Sequence, residues 1–112
     1  MKAHKPGKKV SARQILDRSM TEAQLAASIK HVAKEQGWRI METVNSRFSP
    51  RGEFDLRLIR PPRYIVAELK TERGSLSAAQ TDVWQLLIDC PGIECYVWRP
   101  RDLDEAYRVL MS

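Results

Sequence analysis

The fold of this chain is decided by the stretch GEFDLRLIRPPRYIVAELK, which occupies residues 52–70. Apolar and polar residues alternate on both sides of the Pro61-Pro62 pair, and alternation with a period of two is typical of β-strands. Proline does not continue a paired strand. The two halves are therefore predicted to fold back on each other as an antiparallel hairpin.

The register of this hairpin places three charged side chains on one face. If Arg60 pairs with Arg63, then Asp55 lies opposite Glu68, and Lys70 follows on the same face because side chains alternate along a strand. Two carboxylates about 5 Å apart repel each other by roughly 3 kcal/mol at an effective dielectric constant near 20, which a small domain does not normally tolerate. A divalent cation such as Mg²⁺ or Mn²⁺ would neutralise the pair, with a nearby backbone carbonyl as a further hard oxygen ligand.

The role of Lys70 stays open at this point. Its ammonium group is placed to orient or deprotonate a water molecule beside the metal and to offset charge that develops on a phosphate. The same position also allows a salt bridge that only neutralises Asp55 or Glu68.

Hydrophobic periodicity outside the hairpin predicts the element order α-β-β-β-α-β-α. Gly37 is expected to end the first helix, and Ser77 is expected to cap the second. The predicted elements are a helix that starts within 19–22 and ends at Gly37, strands at 38–44, 53–60, 64–70 and 93–98, and helices at 77–89 and 102–110. Three consecutive strands and a fourth reached through a helix predict an α/β fold, in which helices flank a mixed sheet.

Two polar residues fall in the first turns of the predicted helices. Glu22 shares the apolar stripe of the first helix, so its carboxylate would reach one end of the buried seam. Alternatively, Glu22 forms a capping box with Ser19. Gln80 is the third residue after Ser77, which also permits a capping box.

Length and composition fit one small globular domain. The chain has 112 residues, of which 43% are hydrophobic and 29% are charged. Its N-terminus lacks the apolar stretch of a signal peptide, and no apolar run approaches a membrane span, so we predict a cytoplasmic protein without a membrane partner. Two cysteines and two separated histidines do not support zinc or haem chemistry.

The net charge of +5 is concentrated near the N-terminus. Residues 1–18 carry six Lys or Arg against one acid and show no period that would bury a face, so we predict a flexible basic arm at 1–18 and a single domain at 19–112. Arginines are also frequent between residues 47 and 63, whereas the segment after residue 82 is acidic. The candidate contacts to nucleic-acid phosphates are Lys8, Lys9, Arg47 and Arg51.

The chain resembles the PD-(D/E)xK nuclease superfamily, and within it the virus-type replication and repair nuclease (VRR-NUC) family. The resemblance is carried by Glu22, Gly52-Glu53-Phe54-Asp55-Leu56, Glu68-Leu69-Lys70 and Ser77-Ala78-Ala79-Gln80, and it covers residues 19–110. It implies a restriction-endonuclease-like core. One departure is Phe54, which stands where the family usually has Pro; it is expected to point away from Asp55 and to join the core.

The resemblance also implies the roles of the site residues. Asp55 and Glu68 would bind the catalytic Mg²⁺ together with the backbone carbonyl of Leu69. Lys70 would be the catalytic lysine, and Glu22 would be an acid supplied by the helix.

By the same resemblance, Gln80 is the glutamine that the family places near its catalytic site. The implied activity is that of a structure-selective DNA endonuclease that uses Mg²⁺, with Mn²⁺ as a substitute. It would act as a homodimer on branched DNA, such as four-way (Holliday) junctions or flaps, in a bacterial or phage-infected cell.

Two other functions remain open. A non-catalytic nucleic-acid-binding module would need only lysines and arginines, so the presence of Asp55, Glu68 and Lys70 argues against it. A structural protein of a replication or packaging complex would have a stability independent of metal, whereas Mg²⁺ or Mn²⁺ would raise the melting temperature of a metal-dependent nuclease.

Overall fold

A computed structural model of the chain describes residues 11, 12, 15, 19–43 and 50–112. These residues form an α/β fold with a four-stranded mixed sheet and three α-helices, in the predicted order α-β-β-β-α-β-α. The helices are α1 (Glu22–Glu35), α2 (Ala78–Leu87) and α3 (Leu103–Met111), and the strands are β1 (Arg39–Glu42), β2 (Leu56–Arg60), β3 (Arg63–Leu69) and β4 (Ile93–Trp98). A short 3₁₀ helix, Pro100–Asp102, leads into α3.

Helix α1 begins at Glu22 because Thr21 caps it. The Thr21 hydroxyl accepts a hydrogen bond from the Gln24 N–H, and the Gln24 side chain accepts one from the Thr21 N–H, which completes a capping box. The capping box is therefore formed by Thr21 and Gln24, not by Ser19 and Glu22. The helix ends before Gly37, as predicted, and this glycine adopts a left-handed φ of 83°.

The hairpin of β2 and β3 has the predicted register. Arg60 pairs with Arg63 at the turn, and Leu56 pairs with Ala67 at the far end. The adjoining β1 is antiparallel to β2, and β4 is parallel to β3, so the sheet order is β1-β2-β3-β4. Strand β2 starts later than predicted, at Leu56 rather than at residue 53. The backbone of residues 53–55 bonds instead to Thr43, which follows β1, to α2 and to side chains.

One face of the sheet carries the main core. Leu25, Ile29 and Ala33 of α1 are completely buried against it. The other members of this cluster are Trp38, Leu56, Leu58, Ile65, Ala67, Leu69, Trp98, Ala106 and Leu110. The alternating positions of β3 therefore point to the opposite face, where Glu68 is only 4% exposed.

Helix α2 lies on the side of the sheet to which Glu68 points. Ser77 caps it in a box with Gln80, as predicted, and these residues line the same cleft as Glu68. The helix ends at Leu87, two residues before the predicted end, and a turn containing Gly92 leads into β4. No residue of α2 is fully buried, and Leu86 remains 71% exposed.

Two arginines of the hairpin turn hold the end of α3. The Arg60 and Arg63 guanidinium groups lie 4.4 and 5.0 Å from the ring centroid of Trp38. Arg60 donates to the Leu110 carbonyl at 3.3 Å, and Arg63 donates to the Val109 carbonyl at 3.1 Å. Cations at the C-terminal end of a helix satisfy its last carbonyls and complement its dipole, so these arginines serve the fold.

The predicted basic arm and most of the predicted phosphate contacts lie outside the described residues. Only Ser11, Ala12 and Ile15 of the arm are described, and Lys8, Lys9 and Arg47 are not. Within the described residues, no helix has both the length and the apolar character that a membrane span requires.

Candidate functional site

Asp55 and Glu68 are joined by reciprocal hydrogen bonds at the end of the hairpin. The Asp55 N–H donates to Glu68 Oε1 at 3.0 Å, and the Leu69 N–H donates to Asp55 Oδ2 at 2.8 Å. Each carboxylate thus accepts a hydrogen bond from the backbone beside the other. Since each carboxylate oxygen has two lone pairs, both groups keep acceptor capacity for a further ligand.

Lys70 forms a salt bridge with one member of this carboxylate pair. Its ammonium nitrogen lies 3.0 Å from Glu68 Oε2, and its side chain is only 17% exposed. A Cβ atom on Gly74 would lie 3.2 Å from Lys70 Cδ, so the loop that follows β3 packs on the methylene stem. The salt bridge anticipated from the sequence is therefore present, and it holds the ammonium group at the carboxylates.

Burial raises the pKa of Asp55 to about 6, from an ordinary value of 3.8. The hydrogen bond from the Leu69 N–H opposes this rise, whereas the negative charges of Glu68 and Glu22 add to it. Lys70 bonds to Glu68 and not to Asp55. The ionised form of Asp55 is thus left with excess negative charge around it, a setting that favours the binding of a cation.

The backbone that carries Asp55 is held at every carbonyl. The Glu53 carbonyl accepts from Gln80 Nε2 at 3.0 Å, and the Phe54 carbonyl accepts from the Thr43 hydroxyl at 2.8 Å. The Asp55 carbonyl accepts from the Thr43 N–H at 2.9 Å. The three N–H groups of the segment are also bonded, to Pro50 and to the side chains of residues 53 and 68. Because all these groups are paired, Asp55 is fixed although it lies outside a strand.

Gln80 uses both ends of its side-chain amide to join α2 to this segment. Its Oε1 accepts from the Ser77 N–H at 3.1 Å in the capping box, and its Nε2 donates to Glu53. Gly52 adds a close approach, since a Cβ there would lie 2.6 Å from Val83 Cγ2 and its φ is 85°. The start of α2 is thus pressed directly against the loop before Asp55.

A cleft of about 750 Å³ opens between this loop and the start of α2. Its described lining includes Asp55, Glu68 and Gln80, and the exposed Arg51 lies at its rim. The remaining lining residues are Thr43, Pro50, Gly52, Glu53, Phe54, Ser77, Ala78 and Ala79. Four of the predicted site residues are thus placed where a phosphate could approach the carboxylates.

A second, smaller cavity of about 180 Å³ lies between Glu22 and Asp55. Glu22 and Ala23, at the start of α1, line it together with Asp55 and Leu69. The sequence predicted that Glu22 would lie at one end of the buried seam; in the structure Glu22 is exposed, and it lines this cavity beside the buried Leu56 and Leu69. Since α1 and α2 both begin at the site, the partial positive charges of two helix N-termini lie near the carboxylates.

The donor atoms fit a hard divalent cation. The N–H and C=O groups of an extended residue point to the same side of the strand, so the Leu69 carbonyl points toward Asp55, as its N–H does. Within the described ranges, no three acidic, histidine or cysteine side chains form a ligand set of their own. Two carboxylates and one carbonyl would leave the other positions of an octahedral ion to water and to a phosphate.

Phe54 is buried, as expected, but it belongs to the α2 side of the molecule. It is 2% exposed, and its ring centroid lies 5.9 Å from that of Trp84. Thr43 had no predicted role, and Gly52 was predicted only as part of the motif that contains Asp55. Gly52 has a positive φ, a conformation that glycine adopts easily, so a glycine just before a strand was a usable signal. The partners of Thr43 depend on how β1 pairs with β2, and this left no signal in the sequence.

The chain matches no protein-family model, and its comparison with curated proteins and with solved structures likewise gave no match.

Proposed function

We propose that this protein is a metal-dependent endodeoxyribonuclease of the PD-(D/E)xK superfamily, similar to the VRR-NUC family, and that it cuts branched DNA. The observation that carries the proposal is the Asp55–Glu68 pair, with Lys70 bonded to Glu68 and the Leu69 backbone turned toward Asp55. This order of groups on a hairpin end agrees with the D…ExK pattern of the resemblance.

Mg²⁺, or Mn²⁺ in its place, would be held by Asp55, Glu68 and the Leu69 carbonyl. When bound, such an ion polarises a phosphate and makes its water ligands more acidic. Lys70 lies beside Glu68, where its ammonium group would orient the attacking water and offset charge on the phosphate. Glu22, in the adjoining cavity, would accept a proton from that water.

The remaining residues hold this arrangement and its substrate. Gln80 and Thr43 fix the backbone of residues 53–55, so they act by positioning Asp55. Arg51 would contact a phosphate at the rim of the cleft, and Lys8, Lys9 and Arg47 would extend that contact.

The proposal includes a two-fold homodimer, because two sites related by a two-fold axis match the symmetry of a four-way junction. Its support is α2, on which Leu86 is 71% and the following Ile88 is 54% exposed. A surface of this kind is suited to packing against a second copy.

The test is cleavage of labelled four-way junction, flap and linear duplex DNA with Mg²⁺, with Mn²⁺ or with a chelator. We expect metal-dependent cleavage that falls by about 10² or more in Lys70→Ala, since the charge it supplies acts on the developing transition state. Lys34→Ala, which removes an exposed lysine from α1, is the matched control. DNA binding without cleavage under every metal condition would contradict the proposal and favour a non-catalytic binding module.

A further inference from the structure

The segment that follows Lys70 is tied to the end of β4 by two arginines. Arg99 Nη1 donates to the Thr71 carbonyl at 2.7 Å, and Arg101 Nη1 lies 3.4 Å from Glu72 Oε2. Because β3 and β4 are parallel neighbours, their C-terminal ends lie at the same edge of the sheet, the one that runs across the strand ends. The arginines therefore stand at the edge that carries Lys70.

These arginines are available to a ligand. The Arg101 side chain is 62% exposed, and Arg99 is half-buried. The Arg99 backbone N–H donates a hydrogen bond to Asp102 Oδ2 at 2.9 Å, whereas its guanidinium group points to Thr71. We call Arg99 and Arg101 the β4-end arginines.

Glu72 is a poorly satisfied counter-charge among them. Its Oε1 is buried and has no hydrogen-bond partner in the part of the chain that the structure describes. Its Oε2 meets Arg101 at 3.4 Å, which is long for a charge-assisted hydrogen bond. A carboxylate held so loosely against an exposed arginine is readily replaced by a phosphate, which offers the guanidinium a bidentate partner.

We infer that the β4-end arginines bind backbone phosphates of the nucleic acid next to the phosphate at the Asp55–Glu68 pair, and that Arg101 leaves Glu72 to do so. The choice of nucleic acid as the ligand rests on the function proposed above. The segment after residue 82, which looked acidic in composition, thus contributes two of the cations that hold the substrate.

Fluorescence anisotropy with labelled duplex and four-way junction DNA, in the presence of a chelator, tests this inference without any need for cleavage. We expect Arg101→Gln to weaken binding about threefold to tenfold and to reduce the slope of log Kd against log[KCl] by about 0.9. Glu72→Gln should tighten binding about twofold or more, because the Glu72 carboxylate no longer competes with the phosphate for Arg101. Arg108→Gln, which removes an exposed arginine from α3, is the matched control.

Thermal melting of each variant shows that the changes in affinity do not come from unfolding. The test uses Arg101 rather than Arg99, because the Arg101 side chain is largely exposed whereas the Arg99 side chain holds the Thr71 carbonyl. Equal affinities of Arg101→Gln and Arg108→Gln would overturn the inference, as would a Glu72→Gln protein that binds no tighter than the wild type. If the binding changes appear but no metal supports cleavage, the nuclease proposal fails while the β4-end arginines keep their role. If the wild type cleaves DNA and Arg101→Gln binds normally, only this inference fails.

Discussion

Gln80 and Glu53 are joined by a 3.0 Å hydrogen bond from the side-chain amide to a backbone carbonyl, two residues before Asp55. The bond crosses from the first turn of α2 to the loop that carries a candidate metal ligand. Gln80 therefore influences the site through the backbone of Glu53 and not through a hydrogen bond to either carboxylate in the described part of the chain.

Replacement of Gln80 by Ala should weaken Mn²⁺ binding about tenfold, because the Glu53 carbonyl loses its donor and Asp55 is held less firmly. Isothermal titration calorimetry measures the affinity. Ser77→Ala provides the sharp control, since it removes the helix cap, at about 1 kcal/mol of stability, but keeps the Gln80–Glu53 bond. Equal Mn²⁺ affinities in the two variants would contradict a positioning role for Gln80.

Thr43→Val should also weaken Mn²⁺ binding, by a few-fold, while leaving the volume of the side chain almost unchanged. The valine loses the hydroxyl that donates to the Phe54 carbonyl but keeps the N–H that donates to Asp55. Loss of one such bond costs about 1 kcal/mol. Thr81→Val, whose hydroxyl bonds within α2, controls for the general effect of the substitution. An unchanged affinity for Mn²⁺ in Thr43→Val would show that the Phe54 carbonyl needs no side-chain donor.

Asp55→Asn should raise the stability of the metal-free protein at neutral pH while removing its response to metal. The pKa of Asp55 is raised to about 6, mainly by burial, so above that pH the folded protein holds a carboxylate whose ionised form is disfavoured. After allowance for partial exposure, the gain is on the order of 1 kcal/mol. Thermal melting in chelator and with Mn²⁺ checks both parts. A wild-type melting temperature that does not change on addition of Mn²⁺ would count against the metal site.

Arg63→Lys should destabilise the fold by about 1 kcal/mol at neutral pH, because lysine cannot make the two bonds of 2.8 Å to the Glu94 carboxylate. The hydrogen bonds from Arg63 hold the pKa of Glu94 below its ordinary value of 4.5. Their contribution to stability is therefore complete above the ordinary pKa and is lost as the pH falls through the lowered one. Urea unfolding between neutral and acidic pH measures this, with Arg57→Lys as the control. The part of the difference that disappears at acidic pH belongs to Glu94, whereas the part that Arg63 owes to the Val109 carbonyl and to Trp38 persists. A difference that does not change with pH would exclude Glu94 as a cause.

Introduction of charge on α2 tests the dimer. Leu86→Glu combined with Ile88→Glu should convert a dimer to a monomer in sedimentation equilibrium, because both side chains are exposed apolar groups at the C-terminal end of that helix. Met111→Glu places the same charge on an exposed apolar site of α3. A dimer that survives the α2 change would move the interface elsewhere.

The sequence predicted the hairpin and its pairing because both depend on local features. Alternation and the Pro61-Pro62 turn fix which residues oppose each other, so the position of Asp55 opposite Glu68 follows from counting. The capping box of Ser77 and Gln80 is equally local. These elements involve residues that are close together in the chain.

Tertiary partners could not be predicted in this way. Arg60 and Arg63 are part of an arginine-rich stretch, yet they bond to the end of α3, far along the chain. Arg99 belongs to an acidic stretch, yet it lies at the edge that carries Lys70. Composition measures the charge of a segment, whereas the role of each charge depends on which elements the fold brings to it.

The register of the hairpin also determines what an inactive molecule would look like. A slip of one residue would turn Glu68 toward α1 and carry Leu69 and Ala67 out of the core, since neighbouring residues of a strand face opposite sides. Such a molecule would lose its carboxylate pair and its packing together. Misregistered chains should therefore be lost as unfolded protein rather than accumulate as stable, inactive copies, so that the folded fraction of a preparation reports its competent fraction.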